Sequence, residues 1–549
     1  MDYKKEYGRW LRNADGDVKA ELETMDDAAI EDAFYRELAF GTGGLRGVIG
    51  AGTNRMNVYV VAKASQGLAN YLHPGASVVI GYDSRIKSEE FARVAAGVFA
   101  ANGIHVWFWP VLNPVPTVSF AVRHLHASQG VMITASHNPS KYNGYKVYGP
   151  DGCQITTEAA AAILAEIEQV DVFDVTQMGF DAAFAAGMIQ YIAPDVLSEF
   201  IESVKNQSVL FGDEIDRDVA IIYTPLNGTG LLPVTRVLSE CGYTNITVVE
   251  EQRLPDGNFP TCPYPNPEIR EAMELGLRYC ERTGADLLLA TDPDCDRCGI
   301  AVRDGAEYKL LTGNEVGLLL LDYICAQRQK HGKMPKHPVF IKTIVTTDLA
   351  EKIADHYGVE TINVLTGFKF IGEVIGRMEK EGRAEDYICG FEESYGYLTG
   401  PYVRDKDAVN AASMICEMFA FYKTRNISLI ERLNDLYEDY GFCLNTLYSY
   451  QFEGHAGMEK MEGIMKRLRN CIDEIAGQKI IRTQDYAEGL DGLPKSDVIK
   501  FYLSQGSIVV RPSGTEPKLK MYLSIKSKDR KHAEEFSDAV KNDIEHFFS

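Results

Sequence analysis

Leu287-Leu288-Leu289-Ala290-Thr291-Asp292-Pro293-Asp294-Cys295-Asp296-Arg297-Cys298-Gly299-Ile300-Ala301-Val302 decides how this chain reads. Residues 287–290 are a short apolar run bounded by polar residues, which predicts a buried strand. Residues 299–302 predict a second one. Between them three aspartates alternate, so in an extended loop their carboxylates converge on one cation. Such a loop also begins an EF-hand, but that motif needs glycine at the sixth position and glutamate at the twelfth. Arg297 and Arg303 stand there instead. Three carboxylates leave coordination positions free, which suits Mg²⁺ shared with a phosphate.

Working outward, short apolar runs alternate with helical patterns from about residue 40 to 426. Strands are expected at 78–81, 131–134, 219–223, 340–344 and 387–389, and helices at 88–101, 157–170, 267–283, 314–327 and 348–356. Strand–helix alternation is the signature of α/β domains with largely parallel sheets, whose ligands bind beyond the carboxyl ends of the strands. After residue 427 a helix leads into strand-rich sequence, a separate α+β domain. The expected domains are 1–205, 206–308, 309–425 and 426–549.

Two more strand ends carry phosphoryl-transfer groups. Residues 131–134 run into Thr134-Ala135-Ser136-His137-Asn138-Pro139. A hydrolase would use His137 as base, but neighbours in an extended chain point to opposite faces, so the two side chains should diverge. There is also no G-x-S-x-G elbow. A serine that accepts a phosphoryl group stays open. Residues 507–510 run into Arg511-Pro512-Ser513-Gly514-Thr515-Glu516-Pro517-Lys518, which reads as a phosphate cradle or as an ordinary hairpin loop. Phe40-Gly41-Thr42-Gly43-Gly44-Leu45-Arg46-Gly47 fails the dinucleotide fingerprint, because Arg46 takes the place of the third glycine. It reads as a glycine-rich loop presenting Arg46 to an anion, or as a plain turn. Glu392-Glu393-Ser394 reads as a general acid/base pair, as hydrogen-bond acceptors for vicinal sugar hydroxyls, or as an acidic helix start.

The 549 residues, 45% hydrophobic and 24% charged, suit a multidomain globular protein. A net charge of −22 argues against nucleic acid as a partner and requires phosphorylated substrates to be drawn in locally. No signal-peptide pattern opens the chain, and the apolar run 316–321 is too short to span a bilayer, so a cytoplasmic protein without membrane association is expected. Eleven scattered cysteines fit a reducing compartment. Cys295 and Cys298 form one C-x-x-C without a second, and read as incidental thiols of the acidic loop.

In this order, the serine loop, aspartate loop, sugar loop and phosphate loop resemble the α-D-phosphohexomutase superfamily from Gly41 to Lys518. The resemblance implies four domains around a central cleft, three of them similar α/β domains with mixed, largely parallel sheets, and an α+β fourth. It implies a phosphoserine at Ser136, and Mg²⁺ held by Asp292, Asp294, Asp296 and a phosphoryl oxygen on Ser136. Arg297 would contact the phosphoserine, and Lys146 or Lys406 would handle the hydroxyl proton. A lysine base needs a lowered pKa, so a desolvated or cation-crowded cleft is expected. Substrate-binding positions would be Arg46, His137, Thr366, Lys369, Glu392, Ser394, Arg511, Ser513, Gly514, Thr515 and Lys518. Pro293 replaces a common glycine, Phe391 precedes the glutamates, and Thr366-Gly367-Phe368-Lys369 lacks the histidine of some mannose-accepting members. These departures resemble a glucose 1-phosphate branch that also contains phosphopentomutases. The implied reaction interconverts glucose 1-phosphate and glucose 6-phosphate through glucose 1,6-bisphosphate. A phosphopentomutase or phosphomannomutase of the same mechanism is the near alternative, and a metal-dependent phosphatase the distant one.

Overall fold

The computed structural model describes the chain except residues 1, 42, 74, 453, 471, 513–517 and 549, and the side chains of 454–456, 458 and 548. Four larger sheets follow one another along the chain, of six, five, four and five strands. The first three share a plan in which parallel strands form the centre and antiparallel strands close one edge. In the first sheet, Ser77–Tyr82 pairs in parallel with His105–Phe108 and Gln129–Ile133, and the edge is the antiparallel pair Tyr142–Tyr148 and Gly44–Val48. In the second, Ile221–Thr224 is parallel to Leu287–Thr291, which pairs antiparallel with Cys298–Asp304. In the third, Val339–Thr343 lies parallel between Glu360–Val364 and Tyr387–Phe391. The fourth is wholly antiparallel and includes Gly506–Pro512 and Lys518–Ser527. Mixed α/β sheets followed by an α+β unit are the expected fold class.

Burial explains the strand patterns. All five residues of Gln129–Ile133, Leu287–Thr291, Val339–Thr343 and Tyr387–Phe391 are buried, because helices cover both faces of a parallel sheet. One continuous apolar core runs from Val79 in the first sheet through Leu289 in the second to Phe340 in the third, so the α/β units share packing. The fourth sheet has its own core around Ile508, Val510 and Leu523. A helical arm, Tyr3–Asn13, Gly16–Leu22 and Asp27–Phe34, covers the first unit, with Trp10 edge-on to Phe34, Tyr59 and Phe173.

The expected elements match closely. The helix Ser88–Ala101 and the strand Leu287–Thr291 begin where the pattern places them. Arg46 is a correction: it stands within the strand Gly44–Val48, opposite Gly144, instead of on a free glycine-rich loop. Pairing with the Tyr142–Tyr148 strand satisfies the backbone of this glycine-rich segment. A Cβ on Gly44 would lie 1.8 Å from Tyr145 O, so only glycine admits this approach.

Candidate active site

Asp292, Asp294 and Asp296 are fully buried, and their carboxylate oxygens lie within 4.8 Å of one another. Convergence was expected from an extended loop, but a tight turn produces it. Cys295 N donates to Asp292 O at 2.9 Å, and Cys295 has a left-handed φ of 53°. Neighbouring units hold this loop: Val115 N donates to Asp294 O at 2.9 Å, and Ala408 N donates to Cys295 O at 3.2 Å. Cys295 and Cys298 are buried free thiols that burial pushes up, Cys298 to about 12, which suits incidental thiols and not a redox pair.

Ser136 lies on the loop between the antiparallel strands Gln129–Ile133 and Tyr142–Tyr148, and its φ is 53°. Its Oγ donates to Asp292 Oδ2 at 3.0 Å and lies 3.2 Å from His137 Nδ1. The expected divergence of Ser136 and His137 is therefore wrong. It assumed extended backbone, whereas the left-handed turn brings both side chains to one side. His137 is nonetheless a poor proton acceptor, because burial and then Arg297 and Arg46 push it well below its ordinary value. Thr134 Oγ1 accepts from Ser136 N at 2.8 Å and donates to Asp294 Oδ2 at 3.1 Å, stitching the two loops together.

Two lysines face the trio. Lys146 Nζ lies 2.9 Å from Asp294 Oδ2 and 3.4 Å from Asp296 Oδ2, and Lys406 Nζ lies 2.8 Å from Asp296 Oδ2. The desolvated cleft expected around these lysines is present, but the facing carboxylates oppose its effect on them. Burial alone lowers Lys146, but Asp294 and Asp296 outweigh it and hold the ammonium charged; Asp296 and Asp405 do the same for Lys406. Among the described residues Asp294 Oδ1 and Asp296 Oδ1 remain buried without a hydrogen-bond donor. A buried carboxylate oxygen without a donor is costly, and a cation bound by the trio would satisfy both. The donor set therefore fits a divalent oxygen-seeking ion.

The remaining expected residues lie around this centre and on the third and fourth units. Arg297 sends its backbone N–H to Asp292 Oδ1 at 3.0 Å, but its guanidinium pairs with Glu268 and lies 3.9 Å from Asp296 Oδ1. Glu392 and Ser394 sit on the tight loop after Tyr387–Phe391, where Glu392 N donates to Gly396 O at 2.9 Å. Burial pushes Glu392 up to about 7 against the opposing pull of Lys406. Arg511 donates to Thr366 Oγ1, bridging the third and fourth sheets, and its Nε is buried without a partner among the described residues. Arg46 NH1 donates to Asn138 Oδ1 at 3.4 Å. Lys369 lies in the first turn of the helix Phe368–Lys380 with its ammonium 5.1 Å from the Phe370 ring, and Lys518 begins the strand Lys518–Ser527. Ser513, Gly514 and Thr515 lie outside the described residues.

Sequence reasoning missed four residues here. Arg85, Glu268, Asp405 and Lys520 all stand among these groups. Lys520 pairs in register with Arg511, and burial and then Arg511 push its pKa down. Asp405 accepts from Tyr148 OH at 2.9 Å and lies 3.5 Å from Lys406 Nζ. For Arg85 a signal existed, since Asp83-Ser84-Arg85 follows the strand expected at 78–81.

Four family models match in succession: phosphoglucomutase/phosphomannomutase alpha/beta/alpha domain I over residues 37–172, domain II over 198–305, domain III over 312–440 and the C-terminal domain over 455–542. The chain belongs to the phosphoglucomutase/phosphomannomutase family. Among its relatives, a phosphoglucomutase of Staphylococcus saprophyticus is 38% identical over 534 residues, 94% of this chain and 96% of the relative. One of Staphylococcus aureus is 37% identical over 540 residues, 95% of each. Among solved structures, the open form of the Paramecium phosphoglucomutase pp63/parafusin superposes with a TM-score of 0.68 at 17% identity, covering 93% of this chain and 96% of that one. The structural likeness shows that the fold of this phosphoglucomutase/phosphomannomutase family member is shared at low identity. Among the described residues no helix is long and apolar enough to cross a membrane.

Proposed function

We propose that this chain is a phosphoglucomutase, an isomerase that reversibly interconverts glucose 1-phosphate and glucose 6-phosphate in the cytoplasm through a phosphoserine enzyme. The observation that carries it is Ser136 Oγ 3.0 Å from Asp292 within a buried aspartate trio faced by two lysines. The naming of relatives at 37–38% identity over nearly the whole chain supports the same reading.

In this reading phosphorylated Ser136 gives its phosphoryl group to a hydroxyl of the bound sugar phosphate, forming glucose 1,6-bisphosphate. The intermediate turns over in the cleft and returns its other phosphoryl group to Ser136. Mg²⁺ held by Asp292, Asp294, Asp296 and the Ser136 phosphoryl group would offset the charge in transit and, as a charge beside Lys146 and Lys406, favour their neutral form. Nζ of one of these lysines takes the hydroxyl proton, and the other ammonium offsets phosphoryl charge. Glu392 and Ser394 accept from and donate to sugar hydroxyls. Arg511, Ser513, Gly514, Thr515 and Lys518 hold the phosphate that is not in transit, with Thr366 and Lys369 beside them. Arg46, His137 and Arg297 line the transfer site.

The test is a parallel assay of glucose-, mannose- and ribose-1-phosphate with a trace of glucose 1,6-bisphosphate. Glucose 1-phosphate should give the highest kcat/KM. A higher value for ribose 1-phosphate would replace the sugar assignment with phosphopentomutase. Accumulation of inorganic phosphate in place of an isomeric sugar phosphate would replace the mutase by a phosphatase.

A further inference from the structure

We propose that Arg85 is the positioning residue of the nucleophile, a buried guanidinium that holds the Ser136 loop in its left-handed turn from behind, and that the second α/β unit seats it through Gly257 and Phe259. This rests on Ser136 as the phosphoryl carrier.

Four backbone carbonyls of one loop accept from this single side chain. Arg85 NH1 donates to Pro139 O at 2.9 Å and to Tyr142 O at 3.1 Å, and NH2 donates to Ser136 O and to Asn138 O. The planar fork of arginine suits this task, because its donors leave in fixed directions and reach several acceptors at once. Carbonyls of residues 136, 138, 139 and 142 that face one cation cannot rotate independently. A serine does not settle at a φ of 53° unless its surroundings enforce it. The clamp supplies that enforcement, and the backbone of Ser136 is one of its four grips.

The guanidinium is itself held. Its side chain is fully buried, and so is that of Asp83, whose Oδ2 lies 3.3 Å from Arg85 Nε. Asp83 Oδ1 accepts from Ser88 Oγ at 2.6 Å and from Arg85 N at 2.9 Å. On the other side the Phe259 ring lies 5.1 Å from the guanidinium carbon, a cation–π contact across two units. The approach is close, since a Cβ on Gly257 would lie 2.4 Å from Ile86 N and 2.7 Å from Arg85 C. The unit that carries the aspartate trio therefore also presses on the residue that aims the serine at that trio. Movement between the two units would reach Ser136 through Arg85.

The test compares Arg85→Lys, which keeps the charge but loses the fork, with Gly257→Ala, which keeps Arg85 but displaces its seat. Folding is checked by circular dichroism and thermal melting, and rates are measured on folded protein. Because the buried Arg85 guanidinium spends its donors on loop carbonyls, kcat should fall and KM should hold. A misplacement of the nucleophile by about 1 Å lowers kcat about 100-fold, the loss expected for Arg85→Lys, and Gly257→Ala should lose about tenfold. KM for glucose 1-phosphate should stay within about threefold, the pattern of a lost transition-state arrangement. Phosphoryl uptake by Ser136 from glucose 1,6-bisphosphate should slow in step with kcat. A merely structural arginine would lower the melting temperature and leave kcat per folded molecule unchanged, and that result in Arg85→Lys overturns the proposal. If Arg85→Lys does not fold, Gly257→Ala decides, and an unchanged kcat there overturns it. Ser136→Ala runs alongside. Phosphorylation or turnover in that variant would refute the Ser136 reading itself, whereas an inert Ser136→Ala beside a fully active Arg85→Lys would refute only the clamp.

Discussion

At Ser136 the left-handed φ of 53° turns one hydroxyl toward Asp292 Oδ2 and His137 Nδ1, at 3.0 and 3.2 Å. The Ser136 hydroxyl donates to the carboxylate, and burial, Arg297 and Arg46 push His137 well below its ordinary value, which makes it a weak base for hydrolase chemistry. Ser136→Ala should therefore abolish mutase turnover and remove the phosphoryl group from the intact protein; near-normal turnover in that variant would sink the phosphoserine mechanism. At Asp294 the Oδ1 without a donor among the described residues and the Oδ2 shared by Thr134 and Lys146 fit a bound cation. Exhaustive chelation should stop catalysis and Mg²⁺ restore it, and Asp294→Asn should shift the Mg²⁺ concentration for half-maximal rate strongly upward. Activity that survives chelation would count against any metal role. The residue scale is also where reading from the chain alone falters. Alternation rules assume extended backbone, and the serine loop and the aspartate loop both turn instead.

At the scale of elements, the pair Gly506–Pro512 and Lys518–Ser527 brings Arg511 opposite Lys520 and sends the Arg511 guanidinium across to Thr366. Strand register does this, since neighbours in an antiparallel pair share a face. Two cations share one face, and the Arg511 Nε is buried without a partner among the described residues, which supports the proposed anion-binding role of this edge. A charged hydrogen bond from arginine to phosphate contributes roughly 1.5–3 kcal/mol, so Arg511→Ala should weaken substrate binding by about tenfold or more. Its KM for glucose 1-phosphate should rise, and glucose 1,6-bisphosphate should escape more often per turnover. If both quantities match the wild type, this hairpin is not the distal-phosphate site. The element was legible as a strand ending in a polar loop. The pairing partner of each strand, and hence the place of Lys520, was not, because register depends on a strand far along the chain.

At the scale of the molecule, the fourth unit docks on the third through buried charges as well as apolar contact. Lys500 Nζ donates to Asp348 Oδ1 and to Ile344 O, both at 3.0 Å, and Ser507 Oγ donates to Asp348 Oδ2 at 2.6 Å. Val345, Leu365, Val509 and Tyr522 pack around them. Burial alone would raise Asp348, but Lys500, Lys342 and the Ser507 hydroxyl outweigh it and bring it down to about 2. A depressed carboxylate stabilises the fold above its unfolded value of about 3.9 and loses that contribution as pH falls toward the folded value. The seam should therefore weaken between about pH 4 and pH 2. Thermal melts across that range should show a smaller loss in Asp348→Asn than in the wild type. Asp348→Ala leaves Lys500 buried without its carboxylate, while Lys342 keeps Glu351 at 3.1 Å, and should cost about 3–5 kcal/mol in urea unfolding at neutral pH. A loss well below that range would mean that solvent reaches the seam.

The sequence by itself determined the fold class, the order of the units, the serine loop and the aspartate trio. Apolar runs, helical periodicity and alternating carboxylates are local patterns, and local backbone geometry converts them directly into strands, helices and a ligand loop. Tertiary structure alone decided which groups meet. Lys146 reaches Asp296 across 150 residues of chain, Arg85 grips Ser136 across 51, and Lys500 finds Asp348 across 152. It also decided the charge of the two lysines, because a pKa answers to burial and to neighbours brought near by folding. Desolvation and Coulomb interaction act through space and not along the chain, so no local pattern carries them.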